Sequence, residues 1–247
     1  MLNSQNLKLY TAMAAIIQWN SEKEYQNEIL EYLLDREREV LPDVDFISRQ
    51  PGFDWKMRSG MVQHLVGLRN LLGLDEDILH LCVHIFDRIM SLMHVPVNKL
   101  TLLSTVSLAI ALKYEKGANE YSVEDVTNLL GFDLSENVLA AERLVLTKLD
   151  YKLGRPSPVY FAERLFEVDD DESEIRILAH YFMEVMLTDE HFLTSVPSLV
   201  AAVAYWLSRR ILGIWAFVSA SCLDDLVLIS WPAKKALFHR WLYFRTN

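Results

Sequence analysis

The sequence predicts an all-α protein: two consecutive helical bundles behind one amphipathic helix. Three observations carry this. Apolar residues recur at helical spacing through most of the 247 residues, and no strand-like alternation lasts beyond a few positions. Gly73, Pro96, Gly117, Gly131 and Gly154 punctuate the segments at regular intervals. One segment in each half is apolar nearly all round, as a helix at the centre of a bundle must be.

The elements follow in chain order. Glu22 to Leu41 is rich in Glu and Arg, with Tyr25, Ile29, Tyr32 and Leu33 on one face. It reads as an amphipathic helix that packs onto the body, closed off by Pro42, Pro51 and Gly52. In the next segment Met57, Met61, Leu65, Leu68 and Leu72 share a face. Ile78, Leu81, Ile85, Ile89 and Leu92 do so in the one after. Asn98 to Tyr114 is the first wholly apolar segment. A fourth opens with Ser122 and Asp125, in the manner of a capping box, and a fifth runs from near Ser135 to Leu149.

Past Gly154-Arg155-Pro156-Ser157-Pro158 the pattern starts again. Ser157 to Glu167 reads as a short helix and Asp169-Asp170-Asp171-Glu172 as a solvated linker. Glu174 to Thr188 and Pro197 to Leu212 read as two more helices. The last is the second wholly apolar segment. The expected organisation is an N-terminal segment (1–56), a first bundle (57–155) and a second bundle (156–247).

Composition narrows the function. With 51% hydrophobic and 23% charged residues, the chain is neither disordered nor of low complexity. A net charge of −10 fits a phosphate backbone poorly, so no nucleic-acid partner is expected. Met1 to Asn20 lacks the pattern of a signal or transit peptide. Val196 to Ile229 is interrupted by Arg209, Arg210, Asp224 and Asp225, leaving it short of the ~20 apolar residues of a membrane helix. Cys82 and Cys222 lie far apart in apolar runs, which argues for a reducing compartment and no disulfide. A nuclear or cytoplasmic protein, not a secreted one, is expected.

No chemistry stands out. There is no Gly-rich phosphate loop and no nucleophile elbow. His80 and His84 are four apart, but Leu81, Cys82 and Val83 between them exclude the HExxH zinc motif. They read as ordinary surface or half-buried histidines, and no metal or other cofactor is expected. Asp75 with Asp77 and Asp224 with Asp225 stand at helix starts or bends, where acids complement the helix dipole. The chain reads as a protein that acts by surface contact and not as an enzyme.

One set of motifs goes further. Met57-Arg58-Ser59-Gly60-Met61-Val62 with Leu65-Val66 resembles the MRAIL signature that opens the cyclin box. Phe86-Asp87-Arg88 resembles the aspartate–arginine pair of the family's second helix. Leu108 to Glu115 is similar to the ASKYEE stretch ending its third. Glu142 stands where the fifth helix carries its glutamate. Leu153 to Pro158 is similar to the junction between the two boxes of B-type cyclins. Pro197-Ser198 and the alanines after it resemble the third helix of the second box. The order matches from about Tyr25 to Leu212. The resemblance thus implies two tandem five-helix cyclin boxes with an extra N-terminal helix.

It also implies a role. Cyclins bind a cyclin-dependent Ser/Thr kinase as a heterodimer and activate it, here in G2/M control. A transcription-type cyclin or a cyclin-fold general transcription factor is the alternative. Lys113 and Glu142 match the residues that contact the kinase; on residue types alone, an intramolecular surface salt bridge is the preferred reading, and the resemblance reverses that preference. Tyr114, Tyr151 and Leu153 match apolar positions of the same surface, or else are core. Arg58 and Asp87 match a structural pair joining the first two helices. Met57, Met61, His64, Leu100 and Thr101 match the patch that holds Arg-x-Leu segments of substrates and inhibitors. That patch is degraded here: Gly60 replaces its isoleucine, His64 its tryptophan, Gly67 a glutamate and Thr101 a glutamine. A destruction box is not expected, since Arg38 and Leu41 fit its first half but Phe46 stands at its asparagine.

Overall fold

In the computed structural model, residues 26–39, 41–117, 135–166 and 173–214 are described. The helix expected at Ser122, the acidic linker, Tyr25, Cys222 and everything beyond 214 lie outside them. Among the described residues there are eight α-helices, three short 3-10 turns and no strand. The helices are α1 (Gln26–Arg36), α2 (Trp55–Leu72), α3 (Glu76–Leu92), α4 (Leu100–Lys116), α5 (Ser135–Lys148), α6 (Pro158–Phe166), α7 (Ser173–Thr188) and α8 (Pro197–Ile211). None is long and apolar enough to cross a membrane.

Local chemistry sets the ends. The Asp54 carboxylate caps α2 by accepting from the Met57 N–H at 2.7 Å, and Gly73 closes it in the left-handed conformation at φ 62°. Glu76 and Asp77 occupy the first turn of α3, where their charge suits the dipole. The apolar pattern suggests that α4 ends at Tyr114. It runs to Lys116 and stops at Gly117, whose φ of 94° a side chain would resist.

The two cores are distinct. The first gathers α2 to α5 around α3 and α4, with Ile78, Ile85, Phe86, Val106, Ala111 and Leu112 almost fully enclosed. The second gathers α6 and α7 around α8, with Phe161, Ile175, Met183, Ala201 and Ala204 enclosed. Each large apolar side chain so buried contributes about 1.5–3 kcal/mol. The N-terminal segment divides between them. Leu30 of α1 is buried in the second core, whereas Phe46 and Phe53 are buried in the first.

Polar side chains tie the N-terminal segment to the bundles and the bundles to each other. Glu37, 0% exposed, accepts from the backbone N–H and the hydroxyl of Ser198 at 2.9 and 2.8 Å. It thereby tethers the chain after α1 to the start of α8, where free N–H groups favour an anion. Arg69 of α2 donates to Glu76 of α3 and Glu184 of α7 at 3.0 and 2.9 Å. His180 of α7 also meets Glu76. Gln50 clips the chain before α2 to the end of α3, donating to the Met90 and Met93 carbonyls at 2.7 Å and accepting from the Val95 N–H at 3.0 Å.

His80 and His84 correct the sequence expectation. They are buried, 6% and 2% exposed, because α3 is covered on every side and not on one stripe. Burial pushes His80 down to about 3 and holds His84 well below its ordinary value, with the Arg155 charge adding to both effects. Arg155 donates to His84 Nδ1 at 3.0 Å. Both rings are therefore neutral in the fold at neutral pH, while in the unfolded chain they take a proton near pH 6.5. The unfolded state binds more protons below that pH, so stability falls as pH drops from 6.5. Each ring is expected to remove about 1–1.5 kcal/mol between pH 7 and 5.5. Urea denaturation across that range reads this, and a flat profile contradicts it.

Candidate partner-binding surface

Lys113 lies in the last turn of α4, where a cation suits the helix end. Glu142 projects from α5, which packs against α4. The two meet at 2.7 Å, with side chains 28% and 11% exposed. The pair sits at the edge of the first bundle, with Lys113 partly in solvent and Glu142 largely buried beside it. Beside it Lys116 pairs with Asp75, tying the end of α4 to the start of α3. Burial first, and the Asp77 charge second, raise the Glu115 carboxyl.

Of the apolar candidates, Tyr114 and Tyr151 are 52% and 69% exposed. Leu153 is 9% exposed and belongs to the first core. The structure brings Tyr114 to the junction segment: its hydroxyl lies 3.0 Å from where a Cβ on Gly154 would stand. Tyr151 projects from a corner in which Asp150 and Tyr151 both hold left-handed backbone, at φ 53° and 55°. Such a conformation costs about 1–2 kcal/mol for each non-glycine residue. The corner ends α5 through the Tyr151 N–H bonded to the Leu146 carbonyl at 3.0 Å.

Arg58 and Asp87 meet inside the protein. Arg58 Nε and Nη2 donate to the two Asp87 oxygens at 2.8 and 2.7 Å, and both side chains are almost wholly enclosed. Burial opposes the Arg58 charge, but Asp87, by charge and hydrogen bond, outweighs it and raises the Arg58 pKa. Nη1 reaches further, to the Leu187 carbonyl at the end of α7, at 3.0 Å. That third bond joins the bundles, and nothing in the sequence around Arg58 signals it.

The five residues of the degraded patch divide. His64 and Thr101 are exposed, Met57 and Met61 are half-buried against the first core, and Leu100 is 3% exposed within it. No large apolar side chain among them stands free. The glycines on the same helix meet open space: a Cβ on Gly60 or on Gly67 touches nothing within 4 Å. Gly60→Ala and Gly67→Ala should each raise stability by about 0.5–1 kcal/mol, because helix propensity rises with no clash. Chemical denaturation measures this, and a loss in either variant contradicts it.

Comparison with known proteins agrees with this architecture. Residues 28–154 match the family model for the cyclin N-terminal domain and residues 156–227 that for the cyclin C-terminal domain. The chain is 37% identical over 191 residues to the G2/mitotic-specific cyclin-3 of Saccharomyces cerevisiae, covering 77% of this chain and 44% of that protein. It is 35% identical to the G2/mitotic-specific cyclin-B of Emericella nidulans, covering 78% of this chain and 41% of the relative. It thus spans less than half the length of these curated relatives. Among solved structures, a viral cyclin from herpesvirus saimiri superposes with a TM-score of 0.70 at 18% identity, over 80% of this chain and 88% of that one. With matched domains on both sides of the Leu153–Pro158 junction, this chain belongs to the cyclin family.

Proposed function

We propose that this chain is the regulatory subunit of a cyclin-dependent Ser/Thr kinase, which it binds and activates in G2/M control, with no catalytic group of its own. The observation that carries the reading is the Lys113–Glu142 pair, poised and partly solvated at the edge of a stiff bundle. A kinase inactive by itself holds its C-helix displaced, so that its own Lys–Glu ion pair is broken. A rigid surface docked on that helix rotates it inward and restores the pair. Lys113 has donors for carbonyls at a helix end, and Glu142 orients that lysine and accepts from backbone N–H groups. Activation requires only that the active kinase conformation be bound more tightly than the inactive one.

The cell-cycle assignment is supported by the names of the relatives, which are G2/mitotic-specific cyclins. We also assign the surface formed by Met57, Met61 and His64 of α2 with Leu100 and Thr101 at the start of α4 a weakened role in holding substrates or inhibitors. Little apolar surface is on offer there. The experiment is capture of partners from a cell extract on the purified chain, with the bound kinase identified by mass spectrometry. Recovery of a cell-cycle kinase supports the reading. Recovery of a transcriptional kinase, or of no kinase, overturns it.

A further inference from the structure

The exposed Tyr151 ring stands on a backbone that should not hold its shape unaided. Two successive non-glycine residues, Asp150 and Tyr151, are left-handed, a conformation that persists only where the surroundings enforce it. The Asp150–Lys152 ion pair is too solvated to enforce it, with side chains 78% and 67% exposed. Besides the corner's own backbone bonds, among them Tyr151 N–H to the Leu146 carbonyl, two contacts from other helices reach the segment. The Tyr114 hydroxyl closes against Gly154 from α4. From α3, the Arg88 guanidinium donates to the Lys152 carbonyl. Arg88 is part-buried, burial lowers its pKa, and among the described residues it makes no ion pair. A charged donor half withdrawn from water is thus spent on one carbonyl of the corner, and charge-assisted bonds are stronger than neutral ones.

We infer that Arg88 is a positioning residue of the partner-binding surface: it clamps the Lys152 carbonyl and so fixes the left-handed corner that presents Tyr151. The inference rests on the proposed function, with Tyr151 on the surface that the family resemblance gives to kinase contact. Sequence alone gives Arg88 no such task, because Lys152 lies 64 positions away.

A double-mutant cycle tests it. Arg88→Met keeps the apolar stem in place and removes only the donor. Binding of the captured kinase is measured for wild type, Arg88→Met, Tyr151→Ala and the double variant. Arg88→Met should weaken binding about tenfold, the size expected where a well-packed interface side chain is displaced. In the Tyr151→Ala background the same change should cost less than about twofold, since coupled residues are not additive. Amide hydrogen exchange of the free chain gives a second reading. The Lys152 and Leu153 N–H groups, bonded to the Leu149 and Tyr151 carbonyls, should exchange about ten times faster in Arg88→Met while the α3 amides do not change. Kinase capture that survives with additive losses, or with unchanged exchange at 152–153, overturns the inference and leaves the function standing. A wild-type chain that binds no kinase overturns the function itself.

Discussion

Arg58→Ala is expected to lower the unfolding free energy by about 3–5 kcal/mol, the cost of leaving a buried charge without its partner. In a chain of this length that corresponds to a fall in Tm of roughly 10 °C. The mechanism is the orphaned Asp87 carboxylate, which the Arg58 Nε and Nη2 now satisfy. Asp87→Ala should cost as much by stranding the guanidinium. The paired substitution Arg58→Met with Asp87→Leu removes both charges, and apolar replacement of a buried pair is often close to neutral. Here it should recover only part of the loss. The Leu187 carbonyl would still lose its donor, worth about 1–3 kcal/mol if nothing replaces it. Calorimetry of the four proteins checks the series. An Arg58→Ala variant within 1 kcal/mol of wild type contradicts it.

Lys113→Asp or Glu142→Lys is expected to abolish kinase activation and to weaken kinase binding at least 30-fold, the lower end of the about 2–5 kcal/mol lost when one member of a desolvated interfacial charge pair is removed. Stability should fall by about 1–3 kcal/mol and no further, because Glu142 loses its partner while largely buried but Lys113 lies partly in solvent. Far-UV helicity should therefore be unaltered. The exchanged variant, Lys113→Glu with Glu142→Lys, can re-form the internal salt bridge but presents the wrong charges to a partner. It should fold like wild type and still fail to activate. A purely structural pair would give the opposite: the exchange would restore function.

Much of this was legible because helical spacing is a local signal. The apolar face of α2 and the all-round apolar character of α4 and α8 follow from residues a few positions apart, and the structure places them as expected; α3 differs, being buried on every side along most of its length while Leu92, read onto its apolar face, is exposed. The family motifs were legible for a similar reason, since each lies within one helix or one junction. What escaped the sequence depends on contacts between distant segments. Glu37 reaches Ser198 across 161 positions and Arg58 reaches Leu187 across 129. The helix expected to continue to Leu41 stops at Arg36, where Glu37 turns inward and Pro42 lies ahead. His80 and His84 looked ordinary because nothing local shows that a second bundle covers α3. Leu100 shows the same limit: the family resemblance puts it in a surface patch, yet the turn at Val97–Lys99 starts α4 so that the side chain falls inside the core.

The central claim, that this chain switches on another protein's catalysis through the Lys113–Glu142 edge, is tested most directly by a phosphorylation assay. A purified, inactive cyclin-dependent kinase is titrated with the wild-type chain and with Lys113→Asp. The account predicts that phosphate transfer rises many-fold and saturates at one chain per kinase with wild type, and stays at the kinase-alone rate with the variant. Equal activation by both proteins, or none by either, would contradict it.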